Sequence, residues 1–192
     1  MAGNKQDGGA KSAPTPLDHL PAVSKSGDLN VIIETPKGCR NKFKYEPELG
    51  LFIINTVLPA GSVFPFDFGF VPATLGEDGD PLDVLVLMDE PVFTGCLVPS
   101  RLLGVIEAEE TKKGKTQRND RLVAVSMASE NQAKLTKLGD IDPHLLKEIQ
   151  HFFESYNRLG NKEFKCIGAF GPKRAQRLVD DAVKVFKKQA RK

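Results

Sequence analysis

Asp78, Asp80 and Asp83 fall within six residues, in Gly76-Glu77-Asp78-Gly79-Asp80-Pro81-Leu82-Asp83, and the apolar run Val84-Leu85-Val86-Leu87-Met88 follows at once. Two carboxylates held ~5 Å apart repel by about 3 kcal/mol at an effective dielectric near 20. Three held together need a compensating cation, a shared proton or basic neighbours. All-oxygen ligation at this density suits Mg2+, Mn2+ or Ca2+ and does not suit zinc. The plainer alternative is an Asp-Gly turn whose acids are simply solvated. Gly79 and Pro81 tighten the loop, and the apolar run reads as a buried strand, so the loop is fixed at the rim of a core.

Other motifs of similar appearance fail. With Asp78 as the first position of an EF-hand loop, Asp83 stands where glycine is required and Asp89 stands where the bidentate Glu belongs. Gly114-Lys115-Thr116 has the ending of a phosphate-binding P-loop, but Glu109 stands where its first glycine should be. The sequence has no H-E-x-x-H and no G-x-S-x-G.

The elements that must position the aspartates are mostly strands. Asn30-Val31-Ile32-Ile33-Glu34 reads as a strand ending in Thr35-Pro36-Lys37-Gly38. Lys42-Phe43-Lys44-Tyr45-Glu46, a Pro47-Glu48-Leu49-Gly50 turn and Leu51-Phe52-Ile53-Ile54-Asn55 make a hairpin. Alternation places Lys42, Lys44 and Glu46 on one face, by default a solvated one, and Phe43 and Tyr45 on the other. Phe64, Phe66, Phe68 and Phe70 alternate along one face, as core or pocket wall. Residues 95–100 and 101–106 read as two further short strands, residues 107–121 as a long exposed charged loop or hairpin tip, and residues 122–125 as the last barrel strand. Strands of this number and spacing suggest a barrel. The period then changes. Asp142-Pro143 caps a helix with Leu146, Ile149, Phe153, Tyr156 and Leu159 at helical spacing. A short strand over 164–167 precedes a last helix from Pro172, with Leu178, Val179, Ala182, Val185 and Phe186 on its apolar side and a basic end.

The 192 residues suffice for one domain, residues 24–192, behind a tail over residues 1–23 that is expected to be disordered or loosely draped. A net charge of +2 points to no particular partner, and neither a nucleic-acid nor a membrane partner is expected. Cys39, Cys96 and Cys166 are odd in number and far apart, which fits buried thiols in a reducing compartment. No apolar run approaches the length of a membrane span, and the first residues lack an apolar signal region. A cytoplasmic protein is expected.

Asp78-Gly79-Asp80-Pro81-Leu82-Asp83-Val84 fits the D-x-D-P-x-D signature of the family I soluble inorganic pyrophosphatases. Val31-Ile32-Ile33-Glu34-Thr35-Pro36, Asp67-Phe68-Gly69-Phe70-Val71-Pro72 and Gln150-His151-Phe152-Phe153-Glu154-Ser155-Tyr156 match the same family in order, so the chain resembles it from Val31 onward. The resemblance implies an α+β, mainly β fold: a five-stranded, OB-like closed barrel with flanking C-terminal helices, assembling as a homohexamer. It also implies Mg2+-dependent hydrolysis of pyrophosphate, with Mn2+ as the alternative ion. By resemblance Asp78, Asp80 and Asp83 hold a metal pair, and Asp80 is also the catalytic base. Glu34, Glu110 and Asp120 (or Asn119, since this loop is longer than the family's) complete the metal-binding set. Lys42, Lys44, Arg121 and Tyr156 hold phosphate oxygens.

The departures from the pattern are as informative. Lys44 stands where the family has Glu, Thr56 where it has a phosphate-binding Arg, Phe64 and Phe68 where it has tyrosines, and Asn157 where it has Lys. Arg121 replaces a Lys, and Glu110 an Asp. Each hydrogen bond to a charged group contributes roughly 1.5–3 kcal/mol, so the missing donors bear directly on rate. Lys44 returns a positive charge to the region where the Arg is lost. The functions in view are a divergent pyrophosphatase, an impaired pyrophosphatase-fold protein, and a hydrolase of another phosphoanhydride on the same scaffold.

Overall fold

The structure is a computed structural model and describes residues 16–159 and 162–190. In chain order its strands are β1 (Leu29–Thr35), β2 (Asn41–Glu46), β3 (Leu51–Val57), β4 (Asp67–Phe70), β5 (Asp83–Leu87), β6 (Leu97–Lys112), β7 (Lys115–Arg118), β8 (Arg121–Ser126) and β9 (Glu163–Phe170). The helices are α1 (Pro143–Leu159) and α2 (Pro172–Gln189). Strands β1, β4, β5, β8 and β6 pair in that order, and β1 also pairs with β6, so the five close into a ring. Only the β5–β8 contact of that ring is parallel. β7 and β9 extend the sheet from β6, and β2 and β3 form a separate hairpin. This is the expected OB-like, mainly β architecture.

Alternation along the barrel strands sorts their side chains between two packing layers. Val84 and Val86 of β5 with Leu122 and Ala124 of β8 pack with Ala175, Val179 and Ala182 of α2. Leu85, Leu87, Val123 and Val125 pack instead with Ile149 and Phe153 of α1. Each helix starts where its sequence dictates. Asp142 Oδ1 accepts the backbone N–H groups of His144 (2.8 Å) and Leu145 (3.2 Å), which α1 leaves without partners inside the helix. Pro172 opens α2, where a missing N–H costs nothing.

Several expectations change. Residues 97–112 form one long strand in place of two short strands and the start of an exposed loop or hairpin tip. Gly104 sits at its bulge, where a Cβ would lie 2.2 Å from Phe170 O, so close approach to β9 requires glycine and no strand break is involved. The charged stretch over residues 107–121 is a β6–β7 hairpin that leads into β8, and Glu107, Glu110 and Arg121 are buried within it. The tail reading covers residues 1–15, outside the described residues, and residues 16–23, which are described. Pro16–His19 is a short 3-10 helix, and Ala22 joins the core beside Leu29. The four phenylalanines divide: Phe64 and Phe68 are packed with α1, and Phe70 stacks beside Tyr45. The three cysteines are half-buried free thiols.

Candidate active site

The aspartate loop is pinned on both sides. Leu82 N donates to Thr74 Oγ1 (3.0 Å), Gly76 N to Asp80 O (2.8 Å), and Asp80 N to Asp78 Oδ1 (3.1 Å). Gly79 takes a φ of +87°, which an L side chain would resist. Asp83 begins β5, so the core fixes the end of the loop. Asp78, Asp80 and Asp83 line a pocket of about 890 Å3. Glu34, Lys42, Lys44, Glu110, Arg121 and Tyr156 line the same pocket. Nine of the ten expected site residues therefore converge there.

Asp120 does not. It is absent from the lining residues, and its Oδ1 accepts Ala108 N (2.9 Å) and Arg118 NH2 (2.8 Å). Its neighbour Asn119 lines the pocket instead. The lysines of β2, whose face was expected to be solvated, face this pocket because the β2–β3 hairpin stands over the open end of the acidic loop. Lys44 Nζ pairs with Asp80 Oδ1 at 3.0 Å, and Arg121 NH1 with Asp83 Oδ2 at 2.7 Å. Lys42 Nζ lies 5.3 Å from the centre of the Tyr156 ring and 5.6 Å from that of Phe68.

The electrostatics record crowding. Burial, with the charges of Asp83 and Asp80 behind it, holds the Asp78 carboxyl above its ordinary value. Burial also pushes Glu34 up to about 7, despite the N–H of Tyr45 donating to its Oε1 at 2.8 Å, and the Asp83 charge adds to the rise. Burial works against the Lys44 ammonium, but the Asp80 carboxylate outweighs it and raises its pKa. Arg121 lies between the Phe153 and Phe164 rings, 5.4 and 5.1 Å from their centres, and among the described residues its buried Nε finds no hydrogen-bond partner.

The substituted positions take up other roles. Phe64 and Phe68 are 1% and 2% exposed and belong to the core, so neither offers a polar group to the pocket. Asn157 turns its amide onto its own helix, Nδ2 donating to Phe153 O at 2.8 Å. Thr56 lies at the pocket wall opposite Lys42 in the hairpin register. One polar lining residue, Lys162, had no signal in the sequence, and Asn119 entered only as the alternative to Asp120. Lys162 holds both oxygens of Glu110 at 3.0 Å, and Asn119 Nδ2 donates to Glu110 Oε2 at 3.2 Å. The Lys162–Glu110 pair joins segments far apart in the chain, and no local pattern announces it.

A divalent cation is tested by this donor set. Among the described residues no three His, Cys, Asp or Glu side chains converge closely enough to cage an ion as they stand, and Lys44 and Arg121 pair with Asp80 and Asp83. The oxygen-only donors and the raised Asp78 pKa nevertheless fit one, since a cation placed there would relieve the mutual repulsion of the aspartates.

A closed barrel with crowded carboxylates facing two lysines and an arginine is an arrangement for holding a cation-bound polyanion. The sequence profile described as inorganic pyrophosphatase matches residues 31–187. The chain is 36% identical to the inorganic pyrophosphatase of Nostoc sp. over 171 residues, 89% of this chain and 99% of that protein. It is also 36% identical to that of Thermus thermophilus over 156 residues, 81% of this chain and 87% of that one. The crystal structure of an inorganic pyrophosphatase from Thermus thermophilus superimposes with a TM-score of 0.82 at 34% identity, over 89% of this chain and 98% of that one. A structure from Coxiella burnetii gives 0.80 at 35% identity, covering 87% and 99%. The chain belongs to the inorganic pyrophosphatase family.

Proposed function

We propose that this protein hydrolyses inorganic pyrophosphate to two phosphates, with Mg2+ as the divalent cofactor and Mn2+ able to replace it. The observation that carries the reading is the meeting of Asp78, Asp80 and Asp83 with Lys42, Lys44, Arg121 and Tyr156 around one pocket in this family's barrel. A bound divalent ion would neutralise phosphoryl oxygens and acidify water. Asp78, Asp80 and Asp83 would hold it, and Glu34 would orient water around it.

Water attacks one phosphorus, the bridging P–O bond breaks, and the proton of the attacking water passes to the Asp80 carboxylate. Asp80 suits this role because it is half exposed at the loop tip and needs little rearrangement to meet a substrate. Lys42, Tyr156 and Arg121 bind the phosphate oxygens and stabilise the charge that develops on the leaving phosphate. Lys44 leaves Asp80 for the substrate, supplying the charge that Thr56 does not. An exposed pair of this kind is weak and gives way readily.

A cytoplasmic homohexamer completes the reading. Ile54 and Val57 of β3, paired with Phe43 and Asn41 on one face of the hairpin, are more than half exposed, an apolar surface that supports self-association. Among the described residues no helix is long and apolar enough to cross a membrane. The test is phosphate release from Mg2+-pyrophosphate by the purified protein beside Asp80→Asn. Release that the substitution abolishes is the expected result. No release by a folded wild-type protein would overturn the reading.

A further inference from the structure

Glu110 looks like a metal ligand by position, yet its surroundings are those of a carboxylate already neutralised. It is 3% exposed. Both of its oxygens lie 3.0 Å from Lys162 Nζ, and Oε2 also accepts Asn119 Nδ2. The oxygens that Asn119 brings to this side, its Oδ1 and its backbone carbonyl, both accept Arg121 NH1. Arg121 NH1 in turn pairs with Asp83 Oδ2 at 2.7 Å. Lys162, Glu110, Asn119, Arg121 and Asp83 thus form one continuous polar chain across the pocket wall.

Mg2+ and Mn2+ demand several oxygen donors close around the ion. At Glu110 the available oxygens are spent, and a divalent ion would meet an ammonium at contact distance from the same carboxylate. Lys44–Asp80 is different. Both of its partners are about half exposed, so either can turn to water when the pair opens. Glu110 has no such alternative, and separating a buried carboxylate from its partner leaves an uncompensated charge.

We infer that Lys162 takes the place of a divalent ion at Glu110, so that this pocket binds metal only at its Asp78–Asp80–Asp83 side. Glu110 is then a positioning residue for Lys162, and the chain needs fewer metal ions than its count of pocket carboxylates suggests. The inference rests on the pyrophosphatase reading only in assuming that the aspartates bind a divalent cation.

The experiment is a Mn2+ titration of the purified protein, followed by calorimetry and by the electron-spin signal of free Mn2+, with no substrate present. Glu110→Gln is expected to leave stoichiometry and affinity as in wild type. Asp83→Asn is expected to weaken binding by about 10- to 100-fold or more, the range seen when groups around a metal are lost. Lys162→Met, at a residue exposed enough to tolerate the change, is expected to gain a further, weaker Mn2+ ion that Lys162→Met with Glu110→Gln lacks. Loss of a bound ion in Glu110→Gln, or unchanged stoichiometry in Lys162→Met, would overturn the inference while wild-type binding stood. Failure of wild type to bind Mn2+ at all would overturn the cation-dependent reading beneath it, and this inference with it.

Discussion

Glu34 and Glu107 are buried to nearly the same degree, 7% and 8% exposed, and are left in opposite electrostatic states. Burial works to raise the Glu107 pKa, but hydrogen bonds from Arg118 (2.8 Å) and Arg174 (2.6 Å) to its two oxygens outweigh it and hold the carboxyl below its ordinary value. Glu34 has only a backbone N–H and more distant lysines against burial and the Asp83 charge, and is pushed up to about 7. The first cluster, on the side of β6 that meets α2, is saturated with partners and serves the fold. The second is short of positive charge where the pocket opens. Carboxyls perturbed in this way cluster at functional sites more than elsewhere in proteins.

The sharpest way to break this contrast is Asp80→Asn. Removing a general base costs roughly 10²- to 10⁴-fold in turnover, and because Asp80 is half exposed the melting temperature should hardly move. Steady-state phosphate release and a thermal melt on the same preparation check both halves.

Glu34→Gln addresses the shortfall directly. The folded pKa of Glu34 lies above the unfolded one, so its contribution to stability is complete below pH 4.5 and is lost as the pH rises through about 7. In metal-free protein the Gln variant should therefore gain on wild type across that window, by an amount on the order of 1–3 kcal/mol. Urea unfolding at acid and neutral pH measures it. A difference that did not change with pH would mean that Glu34 is not strained by burial.

Adding Mg2+ or Mn2+ should stabilise wild type by about 2.7 kcal/mol at a hundred times the dissociation constant. Asp78→Asn should lose most of that gain, whereas Glu107→Gln should keep it. Melting with and without metal distinguishes the two clusters. Glu107→Gln should itself cost about 1–3 kcal/mol through weakened hydrogen bonds to charged partners, with turnover unchanged.

The smallest effect expected is on the acid side. Because the folded pKa of Glu107 is depressed, its stabilisation is present above the ordinary glutamate value of 4.5 and is lost as pH falls through the depressed one. Wild type and Glu107→Gln should converge in stability there. A gap that persisted in acid would assign the role of Glu107 to shape and not to charge.

The sequence announces those parts that rest on local rules. The Asp loop, the β2–β3 hairpin and the starts of both helices depend on turn residues, alternation and capping within a few positions, and all were legible. β6 was not: it was divided after Ser100 and ended at Ile106, where the charged stretch begins. Within it, Gly104 answers to Phe170 across the sheet, a contact that no window of sequence contains. For residues 107–121 the hairpin alternative held, but the expected exposure did not, for a related reason. Charged residues without apolar neighbours suggest solvent, but Glu107, Glu110 and Arg121 neutralise Arg174, Lys162 and Asp83 from remote segments. Alternation correctly placed Lys42 and Lys44 on one face and could not say that the face was roofed by an acidic loop.

β6 makes the pocket a late product of folding. This single strand pairs with β1, β7, β8 and β9, so it joins the earliest described strand to the last. Such pairings close long loops and are slow to form. Lys162 leads directly into β9, and until β9 docks on β6 Glu110 lacks its Lys162 partner. During synthesis, the aspartate loop and β2–β3 emerge long before the segment that finishes the site. A nascent or partly unfolded chain thus carries the crowded aspartates without Arg121 and the Lys162–β9 segment that complete the pocket.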